Sequence, residues 1–139
     1  MAIDNKQLGK LGEDLACDYL KKQGFRILDR NYVKEWDDKT KGEIDIIAKK
    51  AGVVCFVEVK TSLQRSFNLN PELAEGWSPE DRVNYRKQKQ LMKLAQTWLA
   101  KNRIALDSAW QIDVIGVVFN ESEPKKSEIR HFENAVSEC

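Results

Sequence analysis

Two apolar segments in the first half of the chain carry acids and a lysine. Residues 42–48 include Asp45, and residues 53–60 include Glu58 and Lys60. Both segments have the composition of β-strands, and the short glycine-containing sequence between them predicts a hairpin. Because side chains alternate across a strand, Glu58 and Lys60 share one face. The hairpin would bring Asp45 beside Glu58, which places two carboxylates and a lysine at one edge of a sheet.

This combination of side chains suits a specific chemistry. Carboxylate oxygens bind hard cations such as Mg²⁺ (or Mn²⁺), commonly one or two carboxylates together with water and a substrate phosphate. A neighbouring lysine can orient an attacking water or stabilise charge that develops on the phosphate. The pattern therefore favours phosphodiester hydrolysis, with Asp45, Glu58 and Lys60 as the catalytic residues.

The alternative is a half-exposed strand in which Glu58 and Lys60 face solvent or pair with each other. For an isolated Glu-x-Lys sequence this is the commoner outcome. Asp45 one hairpin away favours the catalytic interpretation, and so does the apolar character of both strands, since such strands are usually covered on both faces.

Length and composition predict one cytoplasmic domain spanning residues 1–139. The chain has 139 residues of which 42% are hydrophobic, and no apolar segment approaches the length of a membrane span. The N-terminus lacks the apolar region of a secretory signal. With one histidine and three cysteines at no metal-binding spacing, a zinc site has little support. We expect reduced thiols, with Cys17 and Cys55 buried and Cys139 exposed.

The N-terminal part of the chain predicts a helix and a strand. Leucines at helical spacing indicate a helix over residues 5–23, and Gly24 is a typical C-terminal stop. Residues 25–32 are typical of a strand and residues 34–41 of a loop. Glu13 lies at the margin of the apolar helix face, where it is either a further metal ligand or a solvated boundary residue.

The C-terminal half predicts the remaining layers. Residues 61–78 indicate a long irregular connection, and a second helix begins either at Ser78, followed by a proline, or near Asn84. Residues 110–119 form a strongly apolar strand, and residues 128–132 predict a last short one.

The second helix has a basic face and one inward lysine. No Asp or Glu occurs over residues 82–106, and cations at helical spacing form a stripe suited to phosphate contacts, with a solvated basic surface as the alternative. The stripe consists of Arg82, Arg86, Lys89 and Lys93. Lys87 departs from it and falls on the apolar face, from which it could point into the acidic site.

Seven short motifs occur in order along nearly the whole chain. They are Gly9-x-x-Gly12-Glu13-x-x-Ala16, Gly24-Phe25-x-Ile27-Leu28-x-Arg30-Asn31, Gly42-Glu43-Ile44-Asp45, Phe56-Val57-Glu58-Val59-Lys60, the Lys87-containing helix, Ile112-Asp113-Val114 and His131-Phe132-Glu133-Asn134-Ala135. In this order they resemble the uncharacterised bacterial YraN-like family. That family is similar to the restriction-endonuclease-like PD-(D/E)xK superfamily, and the hairpin also resembles that of archaeal Holliday-junction resolvases.

The resemblance implies an α/β fold with a restriction-endonuclease-like αβββαβ core, in which helices flank a central mixed sheet. It also implies that Lys60 is the catalytic lysine and that acids from the first helix and the hairpin hold the metal. The expected ligands are Glu13, Asp45, Glu58 and the backbone carbonyl of Val59. Supporting roles are expected for Glu43, Lys87 and Asp113.

The function expected from these observations is a metal-dependent endonuclease acting on DNA, branched DNA included. The alternative is a non-catalytic nucleic-acid-binding or assembly module with the same fold, because fold and activity separate readily. Nucleic acid is the expected partner, no membrane association is expected, and the resolvase resemblance suggests a homodimer.

Overall fold

The computed structural model of the protein describes residues 3–35, 41–64, 85–105 and 107–135. Within these ranges the chain forms two α-helices, five strands and one short 3-10 helix. The helices are α1 (Asn5–Lys22) and α2 (Tyr85–Lys101), the strands are β1 (Arg26–Glu35), β2 (Lys41–Lys50), β3 (Val53–Gln64), β4 (Trp110–Asn120) and β5 (Glu128–Phe132), and the 3-10 helix is Pro124–Lys126.

The strands form one mixed sheet in the order β1-β2-β3-β4-β5. Strands β3 and β4 are parallel and are joined through α2, whereas the other neighbouring strands are antiparallel. This arrangement is an α/β fold consistent with a restriction-endonuclease-like core, which confirms the predicted fold class.

Local sequence signals explain where α1 begins and ends. The Asp4 carboxylate accepts a hydrogen bond from the backbone N–H of Gln7 at 2.8 Å, and the Gln7 side chain accepts one from the Asp4 N–H at 3.2 Å. This reciprocal capping satisfies two donors that a helix start leaves unpaired. The helix ends at Lys22, close to the predicted end, and the chain turns at Gly24.

The turn between β2 and β3 is shorter than the four-residue connection predicted. Lys49 and Lys50 still belong to β2, so only Ala51 and Gly52 connect the strands. Their φ angles of 51° and 81° are both in the left-handed region, as two-residue hairpin turns that match the twist of the strands require. The predicted hairpin is confirmed, and the tight turn sets the register that carries Asp45 towards Glu58.

Three strands extend beyond their predicted ends. The predicted loop over residues 34–41 is wrong at its margins, because β1 continues to Glu35 and β2 begins at Lys41; residues 36–40 lie outside the described ranges. The irregular connection predicted from Thr61 is wrong for its first four residues, since β3 runs to Gln64 in register with Asn120 of β4. Pairing with a distant strand overrides the weak local signal of these polar residues.

The remainder of that connection lies outside the described residues. This applies to both predicted starts of the second helix, Ser78 and Asn84, and to Cys139. The described helix α2 begins at Tyr85, and the predicted strands at residues 110–119 and 128–132 are confirmed as β4 and β5.

Alternating side chains of the sheet enter two apolar clusters, one under each helix. Phe56 and Ile47 pack with Leu94 of α2, and Val57 and Ile46 pack with Ala16 of α1. Complete burial of one such Ile or Phe side chain contributes about 1.5–3 kcal/mol. The two clusters hold both helices against the central strands and so fix the walls around the acidic hairpin.

A glycine allows α1 to approach β3 closely. A Cβ atom added at Gly12 would overlap the side chain of Thr61, so a larger residue would push the helix away from the strand. This contact places Glu13, the next residue of the helix, at the end of β3 that carries the predicted site. Neither described helix combines the length and apolar character needed to cross a membrane.

Candidate functional site

Strands β2 and β3 separate at Asp45 and Glu58. Their antiparallel pairing runs from the Lys50–Val53 pair to the Ile46–Val57 pair and stops there. Beyond this point β2 continues to pair with β1, and β3 continues to pair with β4. The next residue is Asp45 on β2 and Glu58 on β3. We call the point where the two strands diverge, between Asp45 and Glu58, the strand fork.

The Asp45 side chain bridges this fork. Its Oδ2 atom accepts a hydrogen bond from the backbone N–H of Val59 at 2.8 Å. Burial and, next, the Glu58 carboxylate raise the pKa of Asp45 from 3.8 to about 8, while the Val59 N–H acts in the opposite direction. Asp45 therefore binds its proton more tightly than an ordinary aspartate does.

Glu58 is buried, and two lysines contact it. The residue is 6% exposed, and its Oε1 atom lies 3.3 Å from Nζ of Lys60 and 3.8 Å from Nζ of Lys87. Lys60 comes from the same strand face, as predicted from the alternation of side chains, and Lys87 comes from α2. The predicted position of Lys87 at the acidic site is confirmed. Both lysines compensate the charge of Glu58.

Two further acids lie close to this pair. Glu13 on α1 and Glu43 on β2 both contribute to the raised pKa of Asp45 through their charges. The side-chain amide of Asn31 joins them, since Nδ2 lies 2.8 Å from Oε1 of Glu13 and 3.0 Å from Oε1 of Glu43. Arg30 lies 3.7 Å from the same oxygen of Glu13. The fold therefore gathers Glu13, Glu43, Asp45 and Glu58, although they come from three different elements.

The donor set fits a hard cation that keeps much of its water. The described part of the chain contains no ready-made group of three or more His, Cys, Asp or Glu side chains spaced to hold a metal ion. It does contain a close carboxylate pair, Asp45 and Glu58, and one or two carboxylates are what Mg²⁺ usually takes from a protein. A cation would compete with the proton that the half-buried Asp45 binds more tightly beside the buried Glu58. The residues therefore fit Mg²⁺ or Mn²⁺, and they do not fit a closed four-ligand site of the structural zinc type.

Asp113 lies in a separate hydrogen-bond network. Its side chain is fully buried and accepts hydrogen bonds from the Gln111 side chain, from Nε2 of His131 and from the Asn134 backbone N–H, at 2.7–2.9 Å. Nδ1 of His131 in turn lies 3.1 Å from the hydroxyl of Tyr19 on α1. These contacts join α1, β4 and β5, and none of the described hydrogen bonds connects them to Asp45 or Glu58. The predicted supporting role of Asp113 for the acid pair stays a prediction.

The same network surrounds a buried thiol. Burial and then the Asp113 carboxylate raise the pKa of Cys55 to about 12. Burial also raises the pKa of the Cys17 thiol. Both cysteines are buried and unpaired, as predicted, and are too weakly acidic to serve as nucleophiles.

The basic face of α2 is exposed along the described helix. Arg86, Lys89 and Lys93 are exposed, whereas Arg82 lies outside the described residues. Nζ of Lys89 lies 4.6 Å from the ring centre of Tyr85, which is 66% exposed. Lys87 of the same helix is half-buried, contacts Glu58 and lies off this basic face.

Sequence reasoning missed three residues that organise these networks. Asn31, Tyr19 and His131 join elements that are distant in the sequence, and the His131–Tyr19 pair spans 112 positions. The available signals were the Arg30-Asn31 pair in the second motif and a lone histidine in the last one.

Comparison with known proteins identifies the family of this chain. The sheet order and the helix on each face place the chain among α/β proteins consistent with a restriction-endonuclease-like core. The chain belongs to the uncharacterised protein family UPF0102, whose sequence model matches residues 12–117. This confirms the YraN-like resemblance, and the matched region includes every residue of the acid pair and its lysines.

Relatives of similar length share much of the sequence. A UPF0102 protein of Desulforamulus reducens is 39% identical over 98% of this chain and 100% of its own length. A UPF0102 protein of Alkaliphilus oremlandii is 42% identical over 94% of this chain and 98% of its own length. One from Trichlorobacter lovleyi is 43% identical over 94% of this chain and 91% of its own length.

Proposed function

We propose that the protein is a metal-dependent endonuclease that hydrolyses phosphodiester bonds in DNA, branched DNA included. One observation carries this proposal: the hydrogen bond of 2.8 Å from Val59 to Asp45 holds that carboxylate across the strand fork, beside Glu58 and its partner Lys60. Asp45 is half-buried beside the buried Glu58, and removing carboxylates from water is costly unless they are paired or bind a cation. Cation binding followed by phosphate chemistry is the use that best fits two carboxylates and a lysine.

Each residue of the fork has a distinct role in this proposal. Asp45, Glu58 and the backbone carbonyl of Val59 hold Mg²⁺ or Mn²⁺, and Glu13 contributes from α1. When bound, the cation supplies Lewis-acid stabilisation of the charge that develops on the phosphate. Lys60, 3.3 Å from Glu58, orients the attacking water and donates to a phosphate oxygen. Hydrolysis joins the water oxygen to phosphorus, with one water proton released to solvent, and breaks the bond between phosphorus and the leaving sugar oxygen, which takes up a proton from solvent.

The α2 helix positions the nucleic acid in this account. The exposed cations Arg86, Lys89 and Lys93 contact backbone phosphates, with Arg82 as a further candidate. Such contacts release counterions and give affinity that does not depend on base sequence. Lys87 supports the site from the same helix by compensating Glu58.

A non-catalytic nucleic-acid-binding or assembly module is the second candidate, and one observation favours it. Glu58 already has two lysines within 3.8 Å, and the pKa of Asp45 is raised to about 8, so the charge of this acid pair is largely compensated without any cation. An acidic fork balanced in this way can persist for structural reasons while the basic helix binds nucleic acid.

Incubation with defined nucleic acids separates the two candidates. Branched, single-stranded and duplex DNA, and matching RNA, are each mixed with the purified protein and Mg²⁺ or Mn²⁺, with and without chelator. Cleavage that needs the cation and is lost in Glu58→Gln supports the endonuclease. Glu128→Gln is the matched control, because Glu128 is an exposed glutamate whose partner is Arg130 on β5. Binding without cleavage under all conditions supports the second candidate.

The proposal also includes a cytoplasmic location and a homodimer. The buried, unpaired thiols Cys17 and Cys55 are compatible with a reducing compartment. Light scattering after size-exclusion chromatography, with and without branched DNA, measures the number of chains in the active species.

A further inference from the structure

Asn31 has an unusual backbone conformation within a strand. Its φ angle is 53°, in the left-handed region, although it lies inside β1. Side chains with a Cβ seldom adopt this angle, and asparagine tolerates it better than most. The neighbouring pairs, Arg30 with Ile46 and Tyr32 with Ile44, place Asn31 at the level of Asp45 on β2.

In this conformation the Asn31 side chain contacts two acids that belong to different elements. The Asn31 amide nitrogen lies 2.8 Å from Oε1 of Glu13 on α1 and 3.0 Å from Oε1 of Glu43 on β2. An amide carries two N–H groups, so one hydrogen is available for each carboxylate. Two carboxylates brought this close would otherwise repel each other. Asn31 therefore offsets that repulsion with a neutral group that adds no charge to the site.

The neighbouring residue Arg30 does not duplicate this contact. Its Nη2 atom lies 2.9 Å from Oδ1 of Asp14 and 3.7 Å from Oε1 of Glu13, so Arg30 donates its hydrogen bond to Asp14. Among the described residues, Asn31 forms hydrogen bonds with both Glu13 and Glu43. Both contacts use a single oxygen of each glutamate, which leaves the second oxygen of each for another ligand.

We propose that Asn31 is a positioning residue that holds Glu13 and Glu43 as a pair beside Asp45. This role rests on the proposed function, because the pair contributes to cation binding at the fork. Groups that orient metal-binding side chains are worth roughly 10- to 100-fold in metal affinity. The left-handed angle is the conformation in which a residue of β1 presents its amide to both acids.

Glycine at position 31 tests the amide without disturbing the backbone. Asn31→Gly adopts the φ of 53° without strain and removes only the side-chain donor. Affinity for Mn²⁺ in the absence of nucleic acid, measured by calorimetry, should fall about 10-fold. The matched control is Asn134→Gly, because Asn134 is exposed, has a φ of 51° and uses its backbone N–H for its bond to Asp113. The control should bind Mn²⁺ as the wild type does.

A mutant cycle separates positioning from a general structural effect. If Asn31 acts through Glu13 and Glu43, adding Asn31→Gly to the Glu13→Gln/Glu43→Gln protein should not weaken Mn²⁺ binding further. A further loss of the same size as in Asn31→Gly alone would overturn the role, as would wild-type affinity in Asn31→Gly. If the wild type binds neither Mn²⁺ nor Mg²⁺, the proposed function and this role are both overturned. If the wild type binds Mn²⁺ and Asn31→Gly binds it equally well, the role of Asn31 is overturned and the proposed function is not.

Discussion

The Asp45 carboxylate on β2 accepts a hydrogen bond from the backbone N–H of Val59 on β3 at 2.8 Å, beyond the point where the two strands stop pairing. At this point a hydrogen bond from the backbone to a side chain takes the place of the backbone–backbone hydrogen bonds that join the two strands elsewhere. It fixes one acid against the strand that carries Glu58 and Lys60. The geometry of the site thus depends on where the two strands diverge, and the hairpin turn six residues from Asp45 determines that register.

The first prediction concerns cation binding. Asp45→Asn and Glu58→Gln should each weaken Mg²⁺ and Mn²⁺ binding at least 10-fold, because each removes one of the two carboxylates at the fork. Glu13→Gln should have a smaller effect. Isothermal titration of each variant, with circular dichroism as a check of folding and Glu128→Gln as the surface control, measures the difference. Unchanged titrations in both Asp45→Asn and Glu58→Gln would exclude a shared site.

The second prediction is a pH dependence of stability that Asp45 causes. Its folded-state pKa of about 8 lies above the ordinary value of 3.8, so the folded protein binds this proton more tightly than the unfolded chain. In the metal-free protein, the contribution of Asp45 to the free energy of unfolding should therefore be fully present below about pH 4. This contribution should be lost as the pH rises towards 8.

Asp45→Asn tests this dependence, because an amide resembles the protonated acid. Relative to the wild type, the variant should gain up to about 1.4 kcal/mol in free energy of unfolding for each pH unit between pH 5 and pH 8, as measured by urea denaturation in chelator. Parallel stability curves for the two proteins across that range would contradict the raised pKa.

The acid pair could be predicted from the sequence, because all the information lies within one hairpin. Alternation placed Glu58 and Lys60 on one face, and the glycine-containing turn aligned Asp45 with Glu58. Lys87 was also placed correctly, since helical spacing put it on the inward face of α2. Each of these inferences needed only local periodicity.

The outer parts of the site could not be predicted, because they depend on contacts between distant segments. Asn31 meets Glu13 across 18 positions and adopts a left-handed angle that no sequence pattern specified. The extension of β3 to Gln64 depends on its partner β4, more than 50 residues later. The network of Asp113, His131 and Tyr19 likewise appears only once α1, β4 and β5 are packed together.

The third prediction tests the basic face of α2. Replacing Arg86, Lys89 and Lys93 together by glutamine should weaken DNA binding and make the logarithmic salt dependence shallower by up to about 3, since each lost phosphate contact removes roughly one released counterion. Fluorescence anisotropy at several salt concentrations measures both quantities.

A variant with the same loss of charge controls for net charge. Lys22, Lys125 and Lys126 are exposed lysines of α1 and the 3-10 helix, and changing all three to glutamine should leave the salt dependence nearly unchanged. Equal effects of the two triple variants would mean that the α2 face has no special role.

The fourth prediction distinguishes the two lysines that contact Glu58. Lys87→Met should slow cleavage less than Lys60→Met does, because Lys87 lies 3.8 Å from Glu58 and supports it from another element, whereas Lys60 lies 3.3 Å away on the same strand. Methionine retains much of the packing of the lysine stem, so neither variant should lose substantial stability. Thermal unfolding and single-turnover rates measured on the same preparations test this order. A larger rate loss in Lys87→Met would reverse the assignment of the two roles.

Single-turnover cleavage by Lys60→Met at saturating Mn²⁺ tests the central claim most directly. The proposed role requires that the wild type cleave at least one of the branched, single-stranded or duplex DNA substrates and that chelator abolish this cleavage. Lys60→Met should then bind Mn²⁺ as the wild type does and cleave on the order of 100-fold more slowly, because it lacks the charge that orients water and stabilises the phosphate. Equal rates for the two proteins, or no cleavage of any substrate by the wild type, would contradict the account.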